Sequence, residues 1–299
     1  MNARWRMRVA AIVVASAASL VPLMAADIPG IPSPSVPSVP SAPSVPSLSP
    51  TLPSLPSTPA LPPTDQPHPR TNAKTGKPDG GWMKRHDALV DLAKKGGIDL
   101  YFEGDSITDF WTSKTRKGNG LSVWDKEFTG WNPGNFGISA DRTEHVLWRL
   151  DNGELDGVTP KAVVLMIGTN NSGDYTGEQI AAGVTAIVKT FRDKEPQAKV
   201  LLLAIFPRGD VPKDNPPDKR RKANDAANAI IAKLDDGEHV KYLDIASKFP
   251  DPTTPEFKKI FPDLLHPNTE GYQIWADAIK PTLTEWLGAP AATAPAETK

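Results

Sequence analysis

A serine, a histidine and an aspartate in this sequence have the types and spacing for nucleophilic chemistry. Ser106 lies in the stretch YFEGDSIT (Tyr101–Thr108), where an apolar run stops abruptly on Gly104-Asp105-Ser106. A serine at that position either caps the next helix or serves as a nucleophile. A hydroxyl nucleophile needs a base, and histidine is the usual one. Of the five histidines, His68 lies in a proline-rich stretch, His86 and His145 fall within helical patterns, and His239 stands at the entry to a strand. His266 sits in the loop FPDLLHPNTEGY, bracketed by Pro262 and Pro267, with Asp263 three residues before it. One turn of chain brings positions i and i+3 to the same side. Asp263 can then accept the Nδ1 proton of His266 and leave Nε2 free as the base. The competing reading is a proline-braced turn whose aspartate caps the last helix.

The elements that must position these residues follow from apolar periodicity. Helical spacing runs from Trp82 through Leu89, Leu92 and Ala93 to a stop at Gly96-Gly97. Strand-like runs are IDLYFEG, AVVLMIG (Ala162–Gly168), KVLLLAIF (Lys199–Phe206), VKYLDI (Val240–Ile245) and the shorter NFGIS (Asn135–Ser139). The middle runs are almost continuously apolar, as expected for parallel strands buried on both faces. Between them, helical patterns cover Arg142–Leu150, Glu178–Asp193, Asp218–Leu234 and Gly271–Leu287. This alternation predicts a doubly wound α/β sheet, which binds ligands at the carboxyl ends of its strands. Small polar residues follow a glycine at three such ends: Asp105-Ser106, Ile138 to Asp141 after Gly137, and Thr169-Asn170-Asn171 after Gly168. Arg208-Gly209-Asp210 reads as a loop after a strand rather than an adhesion tripeptide, and Lys219-Arg220-Arg221-Lys222 as a solvated helix face.

Composition bounds the rest. The chain has 299 residues, 34 basic and 35 acidic, with a net charge of −1, so no charge excess points to nucleic acid or an anionic membrane. There is no cysteine, which excludes disulfides, thiolate metal sites and a cysteine nucleophile. Arg4, Arg6 and Arg8 precede an apolar run from Val9 to about Met24 that ends in Ala25-Ala26, the pattern of a secretory signal peptide over 1–26. Residues 27–80 hold half of the 32 prolines and contain a period-three Pro/Ser repeat. Proline lacks an N–H and fixes φ, so this segment is expected to be a disordered, polyproline-like linker with no packed element. A folded domain is expected over 81–288 and a disordered tail over 289–299.

Gly104-Asp105-Ser106, Asn135-Phe136-Gly137, Gly168-Thr169-Asn170-Asn171 and Asp263-Leu264-Leu265-His266-Pro267 resemble, in order, the blocks of the SGNH (GDSL-like) hydrolases. Longer stretches, including NFGISADRTEHVLWRLDNGELDG and EPQAKVLLLAIFPRG, resemble the catalytic subunits of platelet-activating-factor acetylhydrolase IB. The resemblance covers roughly Trp82 to Trp286. It implies a flavodoxin-like three-layer α/β/α sandwich with a mainly parallel sheet of about five strands. It also implies Ser106 as nucleophile, His266 as base and Asp263 as its orienter. The oxyanion hole would comprise the Ser106 N–H, the Gly137 N–H and the Asn170 side-chain amide, donors of the kind a developing oxyanion needs. Two departures stand out. The second-block Gly-Gly pair reads Ser139-Ala140, and Asn171 stands where many members have Asp. No Gly-x-Ser-x-Gly elbow is present, which disfavours the α/β-hydrolase fold.

These readings lead to a secreted serine esterase that removes a short acyl group, with acetyl expected, through an acyl-enzyme. The export signal and spacer favour O-acetylated carbohydrate as substrate and a secreted, periplasmic or cell-surface location. A short-chain lipid esterase is the alternative. A non-catalytic glycan-binding surface module is the reading from a different class. No cofactor or metal, no nucleic-acid partner and no membrane span after signal cleavage are expected. The sequence leaves the oligomeric state open.

Overall fold

The computed structural model describes residues 61–291. The signal-peptide reading of residues 1–26, the linker from 27 to 60 and the tail beyond 291 lie outside the described residues. Five parallel strands form one sheet in the order β2-β1-β3-β4-β5. They are β1 (Leu100–Gly104), β2 (Pro133–Asn135), β3 (Ala162–Met166), β4 (Lys199–Leu203) and β5 (Val240–Leu243). The central strands β1 and β3 are buried along their whole length, which is why their sequences are apolar without alternation.

Successive side chains leave the two faces of the sheet by turns. Tyr101, Val163 and Leu165 point to one core, shared with α1 (Gly80–Lys95), α4 (Thr143–Asp151), α5 (Gly177–Lys194) and α6 (Lys219–Ile231). Leu100, Phe102 and Val164 point to the other. That core is shared with α2 (Ser106–Asp109), α3 (Leu121–Glu127), α7 (Phe257–Ile260) and α8 (Thr269–Leu287). The fold is the expected three-layer α/β/α sandwich. Its strand order reverses direction at the β1/β3 boundary, and the crevice beyond the carboxyl ends of these two strands is the predicted ligand site of such a sheet.

The structure corrects the sequence reading at three places. The edge strand lies at Pro133–Asn135 rather than 135–139. Proline is tolerated as the first residue of an edge strand, and past Asn135 the Phe136 and Ile138 N–H groups still donate to β1 carbonyls before the chain turns at Ser139-Ala140. The run Asn135–Ser139 is short and has apolar side chains only at Phe136 and Ile138, so periodicity alone could not fix its bounds. Second, residues 61–79 are not a free linker. Tyr175 Oη donates to Pro62 O at 2.7 Å, Thr64 Oγ1 to Gln179 O at 2.5 Å, and Thr143 Oγ1 to Thr64 O at 2.9 Å. The His68 N–H donates to Glu144 O at 3.0 Å, and a turn pairing Thr71 with Pro78 returns the chain to Asp79, the N-cap of α1. A proline lacks an N–H but keeps its carbonyl acceptor, and the Pro/Ser repeat has already given way here to TDQPHPRTNAKTGKPD. Third, the folded body extends past Gly288: Ala291 N–H donates to Gly130 O at 3.0 Å.

Candidate active site

Asp105, not Ser106, caps the helix that follows β1. Its carboxylate accepts the Ile107 N–H at 3.0 Å, so Ser106 occupies the first position of α2. A residue there has no intrahelical acceptor for its N–H, and that donor stays available. Gly104 sits where an added Cβ would lie 2.3 Å from Met166 O and from Thr108 Oγ1, so the tight exit from β1 admits no side chain.

His266 approaches from the turn between α7 and α8. Ser106 Oγ and His266 Nε2 are 2.8 Å apart, and His266 Nδ1 and Asp263 Oδ2 are 2.7 Å apart. The second Asp263 oxygen accepts the backbone N–H of His266 at 2.7 Å and of Leu265 at 3.1 Å. Leu264, between them, adopts φ +65°, which bends the chain so that acid and base face each other. Arg116 reaches Asp263 Oδ2 at 3.2 Å from the loop before α3. Partial burial raises the Asp263 pKa, but the hydrogen bonds from His266 and Arg116 outweigh it and hold the carboxyl well below the usual carboxylate range. Asp263 therefore stays ionised and selects the imidazole tautomer with its proton on Nδ1. The Phe110 ring packs near both side chains, its centroid 5.0 Å from that of the His266 ring and 4.3 Å from the Arg116 guanidinium carbon.

The other two strand ends bring up Gly137 and Asn170. Asn135 donates to Thr108 O at 2.9 Å and Thr112 Oγ1 at 3.0 Å, tying the end of β2 to α2. A Cβ on Gly137 would meet Asp109 N at 2.4 Å, so this glycine allows the two segments to touch. The Gly137 N–H is engaged in this structure: it donates to Asn135 Oδ1 at 2.9 Å. Asn170 donates one amide proton to Asp141 O at 2.8 Å and retains a second. Asn171 faces away, accepting from the Thr143 N–H at 3.1 Å and donating to Glu144 Oε2 at 2.9 Å.

Beneath these loops lies a buried ionic cluster that the sequence reading missed. Arg149 donates to Glu103 at 2.7 Å, Asp141 at 2.8 Å and the Phe136 carbonyl at 3.0 Å, and also to Glu154. His86 adds a 2.8 Å contact to Glu154, and Trp82 Nε1 donates to Asp141 at 2.7 Å. The same guanidinium thus grips the residue before Gly104, the residue before Gly137 and the residue whose carbonyl orients Asn170. Burial pushes the Asp141 carboxyl up to about 7 and that of Glu103 upward too, although Arg149 pulls both down. The signal was legible in principle: Arg149 stands three residues after Val146, inside the apolar stripe of α4. Arg208 lies in the loop after β4, as read, but it is buried there and donates to Thr169 Oγ1 at 3.2 Å, just before Asn170. The basic run at the start of α6 is paired, Arg220 with Asp214 and Arg221 with Asp210. Among the described residues, no group of three or more His, Cys, Asp or Glu is arranged to hold a metal ion.

A 2-1-3-4-5 parallel sheet with serine, histidine, aspartate and asparagine gathered at its carboxyl edge is the architecture of an SGNH-type α/β/α hydrolase. The GDSL-like lipase/acylhydrolase family matches residues 102–274, and the chain belongs to this family, a class of carboxylic ester hydrolases. Curated relatives include bovine platelet-activating factor acetylhydrolase IB subunit alpha1, 39% identical over 155 residues, which are 52% of this chain and 62% of that one. The chicken alpha2 subunit is 38% identical over 172 residues, 57% of this chain and 69% of that one. The matched part thus spans a little under two thirds of the alpha1 relative. Among solved structures, a GDSL-like lipase from Bacteroides thetaiotaomicron superposes with a TM-score of 0.53 at 20% identity, covering 69% of this chain and 96% of that one. The lipase/acylhydrolase from Enterococcus faecalis gives 0.50 at 18% identity, covering 66% and 100%. At these identities the likeness is one of fold.

Proposed function

We propose that this chain is an exported serine esterase that cleaves short acyl esters, acetyl above all, through an acyl-enzyme on Ser106. The observation that carries the reading is the continuous chain from Ser106 Oγ to His266 Nε2 and from His266 Nδ1 to Asp263, at 2.8 and 2.7 Å. His266 takes the Ser106 proton as Oγ attacks the ester carbonyl, and returns it to the leaving alcohol. It then activates a water that hydrolyses the acyl-enzyme. Asp263, held ionised, stabilises the imidazolium that forms in both steps. The oxyanion is received by the Ser106 N–H and the free amide proton of Asn170, with the Gly137 N–H turning from Asn135 to join them.

The acetyl preference draws support from the name of the acetylhydrolase relatives. The signal-like residues 1–26 and the Pro/Ser-rich stretch after them favour a substrate outside the cell, and an O-acetylated carbohydrate fits that place. Among the described residues no helix is long and apolar enough to cross a membrane. The same relatives favour a second reading, hydrolysis of a short-chain lipid ester. The full chain assayed on p-nitrophenyl esters of two to twelve carbons, beside acetylated xylan and an acetyl-bearing phospholipid, tests both. Highest kcat/KM on acetyl, with release of acetate from xylan, is expected. Activity confined to chains of eight carbons or more would sink the acetyl reading, and acetate release from the phospholipid alone would favour the lipid one.

A further inference from the structure

The turn after Gly137 contains a conformational oddity. Ala140 adopts φ +67°, in the left-handed region that residues with a Cβ avoid, and the motif this turn resembles has glycine there. Something must hold Ala140 in that state. Asp141, on its carboxyl side, is fixed by Trp82 Nε1 and Arg149. On its amino side, Ser139 Oγ donates to Asp109 Oδ2 at 2.6 Å. The decisive contact is a third one: Arg70 donates to the Ser139 carbonyl at 2.8 Å. That carbonyl belongs to the peptide plane between Ser139 and Ala140. Relaxation of Ala140 to negative φ requires this plane to rotate, and rotation would tear the carbonyl away from Arg70.

Arg70 comes from the docked segment 61–79, upstream of the family-matched stretch 102–274. Its own position is set at both ends. Thr64 and His68 bind the first turns of α4 and α5, and the Asp79 N–H donates to Arg70 O at 2.8 Å. The turn it clamps joins Gly137 to Asp141, and the Asp141 carbonyl is the acceptor that aims Asn170.

We propose that Arg70 is a positioning residue for the oxyanion hole: the upstream segment latches the Ser139–Ala140 peptide and thereby lets this chain keep alanine where glycine would otherwise be required. The inference rests on the proposed roles of Gly137 and Asn170. Its consequence is that the upstream segment contributes to turnover as well as to stability.

The test uses the full chain with Arg70→Met, Arg70→Lys and the double variant Arg70→Met/Ala140→Gly, assayed on p-nitrophenyl acetate. Arg70→Met should lose roughly tenfold in kcat, the scale of a left-handed penalty no longer restrained, with KM within about twofold because the donors act on transition-state charge. Glycine adopts the left-handed state freely, so the double variant should regain most of the lost kcat. Arg70→Lys, which keeps one cationic donor, should fall between. An Arg70→Met enzyme with wild-type kcat, or a loss that Ala140→Gly does not relieve, would overturn the proposal. Fluorophosphonate labelling of each variant separates the levels. If the wild type labels at Ser106 and Arg70→Met keeps full turnover, only the latch is wrong. If the folded wild type does not label, the nucleophile assignment fails and the latch falls with it.

Discussion

Asn171 donates to Glu144 Oε2 and Thr143 Oγ1 in a fully buried setting, and this explains why aspartate would not serve there. An Asn171→Asp carboxylate would face the Glu144 carboxylate without solvent. We expect that variant to lose about 2–4 kcal/mol by denaturant unfolding, the range for a broken buried polar pair. An unchanged midpoint would show that the two side chains separate. Its neighbour Asn170 has a different expected signature. Asn170→Ala should lower kcat by a factor of order 10²–10³ with little change in KM, since the lost donor is aimed at charge that develops only in the transition state. A rise in KM alone would make it a substrate-binding residue. At this scale the sequence was most legible where short-range chemistry sets the pattern. The i, i+3 pair Asp263 and His266 lies within one turn, and His266 Nε2 stands 2.8 Å from Ser106 Oγ. Arg116 was not legible, because its partner Asp263 lies 147 residues away, and the position of Arg149 in an apolar stripe marks it as buried without naming Glu103, 46 residues away, as its partner.

Strands β1, β3 and β4 were legible as elements because burial on both faces gives unbroken apolar runs. The four-residue helix α2 and the seven-residue α3 were not, since neither is long enough to display a period of 3.6. The docked segment 61–79 escaped notice for a different reason. Proline content argues against regular secondary structure, but it says nothing about whether carbonyls and a buried threonine find partners on an adjacent surface. Thr64, His68, Arg70 and Tyr175 make five hydrogen bonds between this segment and the domain. At about 1 kcal/mol each, and about 2–4 °C per kcal/mol for a domain of this size, their loss is sizeable. Deleting residues 61–79 should therefore lower Tm by about 5 °C or more. A truncated protein with wild-type Tm would mean that the segment contributes no net stability.

For the whole molecule, the buried carboxyls set the dependence of stability on pH. Burial raises Asp105 and Asp141 to about 7 and raises Glu103 and Glu144 as well. Between the ordinary carboxylate range and about pH 7 the folded state therefore binds more protons than the unfolded one, and stability falls as pH rises through that window. In the opposite sense, hydrogen bonds from Lys126 and Lys280 pull Glu127 down to about 2, and Asp263 is also lowered. Stability from these two is present above the ordinary carboxylate pKa and is lost as pH falls below it. Thermal unfolding across pH 3 to 8 should thus show a maximum near pH 5, and Glu103→Gln should flatten the alkaline slope. A Tm that climbs steadily to pH 8 would contradict the buried-acid account. The claim on which the functional reading turns is that Ser106 is a nucleophile activated by His266. The direct measurement is mass-spectrometric mapping of a fluorophosphonate adduct on the full chain, beside Ser106→Ala and His266→Ala. The account predicts a single phosphonylated serine at position 106, absent in Ser106→Ala and formed far more slowly in folded His266→Ala. A folded wild type that stays unmodified, or one labelled at a different serine, would contradict it.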